Sequence, residues 1–282
     1  MSNDLESYIR TIPKAEVHLH LEGAIELPTL ARLATAHGLP APAPDLYAYT
    51  DFPGFLEAFK RVCEHLVTPQ DYHLATLRMI ERLKRDGVVY AEVYIAAGVM
   101  LWRGQNFEEL FEGIEAGAQE GFARHNVQVR WILDATRQFG PEPAMTMTKL
   151  AARFHTRGVI GIGIGGDEKK AAPEQFKEVY AYARRHGLRL TAHAGEVAGP
   201  ESMWGAIREL QAERLGHGVT AERDPALVSI WPPRRLPWTF AYPATYARAQ
   251  WATWPGIPCA ATLTPGSWFP SPPTIRRCSR PT

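Results

Sequence analysis

The sequence predicts an α/β fold, a TIM-type (β/α)8 barrel, with strands 7 and 8 lost or garbled. Three observations carry this. Short β-branched runs alternate with amphipathic stretches from residue 16 to residue 217, the rhythm of parallel strands joined by right-handed crossovers. Chemistry-bearing residues fall at the C-terminal ends of several strands: His18 and His20, Asp167 and Glu168, His193 and Glu196, and His217. A barrel assembles its site there, whereas an open doubly wound sheet concentrates it at one switch point. Finally, 282 residues at 45% hydrophobic composition suit one large domain. No glycine-rich dinucleotide fingerprint opens a helix, because Gly161-Ile-Gly163 lies inside a strand.

The elements follow in order. Residues 4–12 read as a short helix or arm ahead of Pro13. Glu16-Val-His-Leu-His-Leu-Glu22 alternates as a buried strand should, and Gly23 ends it. Leu27–His37 has helical spacing and stops at Gly38-Leu-Pro40. Amphipathic helices are predicted over Phe52–Leu66 and Asp71–Arg85, the second closing at Asp86-Gly87. Strands then read over 88–95, 127–133, 159–164, 188–193 and 214–217. The intervening helices read over 106–125, 143–156, 173–186 and 201–210, with Pro173 at a helix start.

Charge excludes some partners. Lys+Arg 31 against Asp+Glu 30 leaves a net charge of +1, so no global field invites nucleic acid or an anionic membrane. The Met-Ser-Asn-Asp start is not a signal peptide, and no apolar run approaches a membrane span. Cys63 stands alone before residue 259, which removes a disulfide framework and points to the cytoplasm.

His18 and His20 are two apart, so both imidazoles lie on one side of the pleat, with Glu22 following on that face. Two such histidines on a buried strand are costly unless something uses their nitrogens, and a divalent cation is one user. The pair alone fits equally well two surface histidines on an edge strand. His193-Ala-Gly-Glu196 adds a histidine and a carboxylate that can face one cavity. Arg214-Leu-Gly-His-Gly218 adds a histidine between glycines, and Gly165-Gly-Asp-Glu168 offers bare backbone amides at a strand end. Alone, His193–Glu196 also fits a helix start after a turn and Gly165–Glu168 a tight turn, while the histidine between glycines has little room to be ordinary packing. Together they match three protein ligands with an open water position, the pattern of catalytic zinc. A carboxylic acid and an imidazole beside that water would supply acid and base.

Pro13–Gly23, Gly165–Glu168, Thr191–Glu196 and Arg214–Gly218, in this order, resemble the successive signatures of the adenosine deaminase family, from about residue 8 to about 228. The resemblance implies a zinc-dependent barrel of the amidohydrolase type that hydrolyses the amino group of a purine nucleoside, releasing ammonia. His18, His20 and His193 would ligate Zn2+. Glu196 would protonate the ring nitrogen beside the attacked carbon, and His217 would orient and deprotonate the water. His20, Glu22 and the backbone of Gly166 would meet substrate, Glu22 at the ribose. Tyr94–Trp102 and the glycine-rich strand at 161–166 look more like the branch acting on larger adenosine derivatives, such as aminodeoxyfutalosine deaminases. A phosphotriesterase-like hydrolase also carries His-x-His, but it calls for a lysine ending the fourth strand, and Lys169 lies beyond the turn.

The tail departs from the pattern. No acidic residue follows Asp224, and residues 229–282 hold 11 of the 23 prolines and 5 of the 8 tryptophans. The family's last metal ligand, an aspartate in an Asp-Asp-Pro run ending strand eight, is therefore missing. Codons for Pro273-Thr-Ile-Arg-Arg-Cys278, read from their third bases, can encode Asp-Asp-Pro-Pro-Met-Phe. The expectation is a barrel over 1–228 and a frame-shifted tail over 229–282. Such a chain would be poorly stable and nearly inactive, because a barrel short of two strands leaves raw edges.

Overall fold

The computed structural model describes residues 7–8, 11–230 and 238–239. Seven parallel strands lie in sequential order: β1 (Lys14–His20), β2 (Val88–Ile95), β3 (Gln128–Thr136), β4 (Val159–Gly165), β5 (Arg189–Ala194), β6 (Arg214–His217) and the two-residue β7 (Trp238–Thr239). A doubly wound sheet reverses direction partway; this one never does, so it is a nearly closed TIM-type barrel. Among the described residues six strands are full, and β7 pairs only Trp238 with Leu215 and Thr239 with Gly216. The expectation of a garbled tail falls almost wholly outside the described residues, as does most of the arm at 4–12.

Helices α1 (Leu27–Ala36), α2 (Phe52–Glu64), α3 (Pro69–Arg85), α4 (Ala97–Trp102), α5 (Phe107–His125), α6 (Pro141–Arg153), α7 (Lys177–Arg185), α8 (Pro200–Arg208) and α9 (Pro225–Ser229) complete the chain. Their starts obey local chemistry. Thr68 and Asp71 form a capping box at α3, and Asp51 caps α2 through Gly54 N. Three details differ from the sequence reading. β1 ends at His20, and Glu22–Ala24 is a 3-10 turn, because Glu22 turns inward to accept the amide of Ala96. The helix predicted from Pro173 opens as a 3-10 turn (Pro173–Phe176) before α7. The short α4 was not predicted; one and a half turns are too few to show a period.

Two layers follow from strand alternation. Val93, Ile95, Trp131, Leu133, Ile162, Ile164, Leu190 and Leu215 face the helices and form the hydrophobic core. The opposite face lines the barrel and is polar. Tyr94 Oη donates to Thr191 Oγ1 at 3.0 Å, and Arg214 bonds Glu92; both links join strands that are not neighbours. The strip Gly161, Gly163, Gly165 removes inward side chains from β4. A Cβ at Gly163 would lie 2.6 Å from Asp134 Oδ1 and 2.7 Å from Tyr94 Cε1. Outside the barrel, α3 and α5 pack through Gly113, Gly117 and Gly121, whose spacing of four puts them on one face.

Candidate active site

The bulge in β1 between Glu16 and Leu19, where its register with β2 shifts, sits beside His18. His18 lies 4.7 Å from His193, 5.0 Å from His217 and 5.6 Å from His20, ring centre to ring centre. His20 stacks on Tyr94 at 4.9 Å. The Nε2 atoms of His20 and His193 are 3.0 Å apart, and ligand atoms of His18, His20 and His193 all fall within 4.8 Å of one another. Nδ1 of His193 donates to the Ile164 carbonyl at 3.1 Å, which fixes the tautomer with a free Nε2 lone pair. Burial, reinforced by the neighbouring imidazoles, keeps these rings neutral: His20 drops to about 3, and His18 and His193 fall well below the usual histidine range. Neutral, convergent imidazoles, buried at His193 and half-buried at His18 and His20, suit a zinc-type cation, whose ligands must be unprotonated.

Glu196 and His217 complete the cluster. Glu196 Oε2 lies 3.4 Å from His217 Nε2, and both side chains are buried. Burial raises the Glu196 carboxyl above its usual range, and the adjacent His217 partly offsets this. His217 takes a left-handed backbone, φ +68°, a strain that marks functional positions.

Glu22 is fully buried. Its Oε1 accepts from Ala96 N at 3.0 Å, its Oε2 has no partner among the described residues, and burial lifts its carboxyl to about 7. Gly166 sits at φ +84°, and a Cβ there would run into Gln138 Oε1, which accepts the Asp167 amide at 3.2 Å. All the sequence-predicted residues thus lie at the C-terminal ends of β1, β4, β5 and β6 or in the turns just beyond them.

Sequence reasoning passed over two buried residues here. Asp134, on β3, has Oδ1 without a partner among the described residues, and burial, then the charge of Glu22, pushes it well above the usual aspartate range. Arg137 is wholly buried and donates to the His193 carbonyl and to Ala171 O at 3.4 Å. The signal was present: Trp131-Ile-Leu-Asp-Ala-Thr-Arg137 interrupts an apolar run with two charges at its C-terminal end.

A parallel barrel with imidazoles from β1 and β5 converging beside a buried acid–imidazole pair defines a metal-dependent hydrolase of the amidohydrolase type. The adenosine deaminase profile matches residues 13–261, running past the last of the sequence motifs. Aminodeoxyfutalosine deaminase of Streptomyces avermitilis is 33% identical over 242 residues, covering 83% of this chain and 68% of that protein. Adenine deaminase of Chlorobium luteolum is 34% identical over 238 residues, covering 82% and 70%. Among solved structures, a zinc-bound amidohydrolase from Burkhoderia ambifaria superposes with TM-score 0.74 at 26% identity, covering 80% of this chain and 64% of that one. The chain therefore belongs to the adenosine deaminase family and is an aminohydrolase.

Proposed function

We propose that this site hydrolytically deaminates a purine nucleoside, adenosine or an adenosine derivative, releasing ammonia. The observation that carries the reading is the pairing of Glu196 with His217 beside the three convergent imidazoles. His18, His20 and His193 would hold Zn2+, whose chemistry when bound is to make water nucleophilic near neutral pH. Glu196, its carboxyl raised by burial, is the acid that gives a proton to the ring nitrogen beside the attacked carbon. His217 orients the attacking water and takes its proton. The Gly166 amide and His20 position the base, and Glu22 receives the sugar. Burial keeps bulk water from competing for these groups.

Support for a larger derivative comes from the aminodeoxyfutalosine deaminases among the relatives; the adenine deaminases among them are named for the smaller free base. Residues 229–282 enter the proposal as a frame-shifted segment: with no acidic residue after Asp224, the chain as written is expected to turn over slowly. Sequencing the gene across codons 226–232 tests the shift; a clean frame there, matched by the mass of the expressed protein, defeats it. The function is tested by ammonia release from adenosine, adenine and aminodeoxyfutalosine. Both the chain as it stands and the frame-restored gene are assayed, with metal analysis alongside. Ammonia from adenosine or aminodeoxyfutalosine with a metal-loaded enzyme supports the proposal, and ammonia from adenine alone moves the substrate to the free base. Purine binding without ammonia release, even after restoration, leaves a catalytically dead purine-binding barrel.

A further inference from the structure

The loop after β5 carries Glu196, and its backbone is fastened from two sides. From the β6 side, Gly218 N donates to Ala194 O at 2.9 Å, Thr220 N to Gly195 O at 3.1 Å, and Thr220 Oγ1 to Ala198 O at 3.1 Å. From the β4 side, a single buried carboxylate does the rest. Glu168 Oε1 accepts the amides of Glu196 at 2.8 Å and Val197 at 2.9 Å. Its Oε2 accepts the amide of Gly195 at 2.8 Å and the hydroxyl of Ser202, in α8, at 2.6 Å. Four donors fill the four acceptor positions of a carboxylate. The carboxylate is 5% exposed and, among the described residues, forms no ion pair; Arg137 stands behind it as the nearby positive charge while holding the His193 carbonyl.

We propose that Glu168 is a positioning residue that sets the Glu196 carboxylate against His217 by gripping three consecutive amides of the 195–197 loop. The role rests on the acid function given to Glu196 above. It explains why a charged residue is buried at this strand end with both carboxylate oxygens bonded to the protein's own donors. An anion with only backbone and hydroxyl donors around it fixes a loop more tightly than neutral bonds do. The conformation it imposes is one Gly195 alone can take: φ is +72°, and a Cβ would lie 2.7 Å from Met203 Sδ. Replacing the carboxylate by an amide puts an N–H against one pair of these donors, so the loop must open on that side.

The test uses the full chain and the variants Glu168→Gln, Glu168→Asp and Ser202→Ala. Hydrogen exchange is followed at the amides of Gly195, Glu196 and Val197, with β2 and β3 amides as the internal control. In E168Q the three amides should exchange about 10- to 100-fold faster, the range expected for lost charge-assisted bonds, while the control strands are unchanged. E168D, which keeps the charge on a shorter stem, should fall between. S202A, which leaves the anion and all three amide bonds, should change them less than about threefold. In an active enzyme E168Q, and E168D to a smaller degree, should lower kcat while leaving KM near wild type, and S202A should change neither. A folded E168Q with unchanged exchange at residues 195–197 overturns the proposal. If E168Q does not fold, a folded E168D with unchanged exchange does so. Exchange needs no substrate, so an enzyme that releases no ammonia refutes the deaminase reading without touching this result.

Discussion

His18 and Gly216 are complementary across the barrel: a Cβ at Gly216 would lie 3.0 Å from Nδ1 of His18 and closer still to its Cε1. The glycine on β6 is therefore the space into which the β1 imidazole fits. Gly216→Ala should push that ring off its common centre with His20 and His193. We expect a metal affinity 10- to 100-fold weaker, the size of effect seen when support around a ligand is lost, at nearly unchanged melting temperature. Competition against a chromophoric chelator measures it, and an unchanged affinity would mean the ring is not held by this contact.

Gly113 tests the outer layer independently of the site. A Cβ there would fall against the Pro69 carbonyl, 2.6 Å from its carbon, at the first turn of α3. Backbone cannot yield as a flexible side chain can. Gly113→Ala should therefore destabilise the fold by about 1–3 kcal/mol, the usual cost of overpacking, although alanine is the better helix former. Urea unfolding reads the difference; a stabilised variant would show that α3 and α5 are not closely seated.

Asp134 links stability to pH. Its folded value is raised by burial and then by the charge of Glu22. A carboxyl raised on folding stabilises fully below its unfolded value, near 3.8, and that stability is lost as pH rises through the folded value. Metal-free protein should lose about 1.4 kcal/mol per pH unit across that window. Asp134→Asn should remove this slope, leaving the one from Glu22 between 4.5 and about 7. Thermal melts from pH 4 to pH 9 decide: parallel curves for variant and wild type would show that Asp134 is not the source.

The barrel was legible because each strand–helix unit is long and its apolar residues face outward to the helices, as Val88–Ile95 and Asn106–His125 illustrate. The common face of His18 and His20 was legible for a different reason: imidazoles two apart on a strand share a face whatever the tertiary structure. Residues acting through backbone were not. Glu168 sits in a turn that sequence alone explains as a turn, and its four partners come from residues 195–202. The interrupted apolar run flags Arg137 but carries no signal for its role, because its partner, the carbonyl of His193, lies on β5. Glu22 was read on the face of His18 and His20, but it lies two residues past the end of β1, where a 3-10 turn and not strand alternation aims it.

Glu196 carries the most direct test of the chemistry. Glu196→Gln keeps the shape and loses the proton, so the loop contacts of its amide should survive while turnover falls about 10²- to 10⁴-fold, the usual contribution of a positioned acid. Metal content should stay at the wild-type level, because Glu196 is outside the three-imidazole set. The pH profile follows from the sign of its shift. Burial raises the carboxyl, so the protonated form persists above the usual glutamate range and the rate falls as pH passes the raised value. In E196Q that alkaline limb should vanish from whatever activity remains. Ammonia release across pH 5 to 9 on the metal-loaded, frame-restored enzyme measures both effects. A variant that retains wild-type turnover, or keeps the same alkaline limb, would assign the proton to another group.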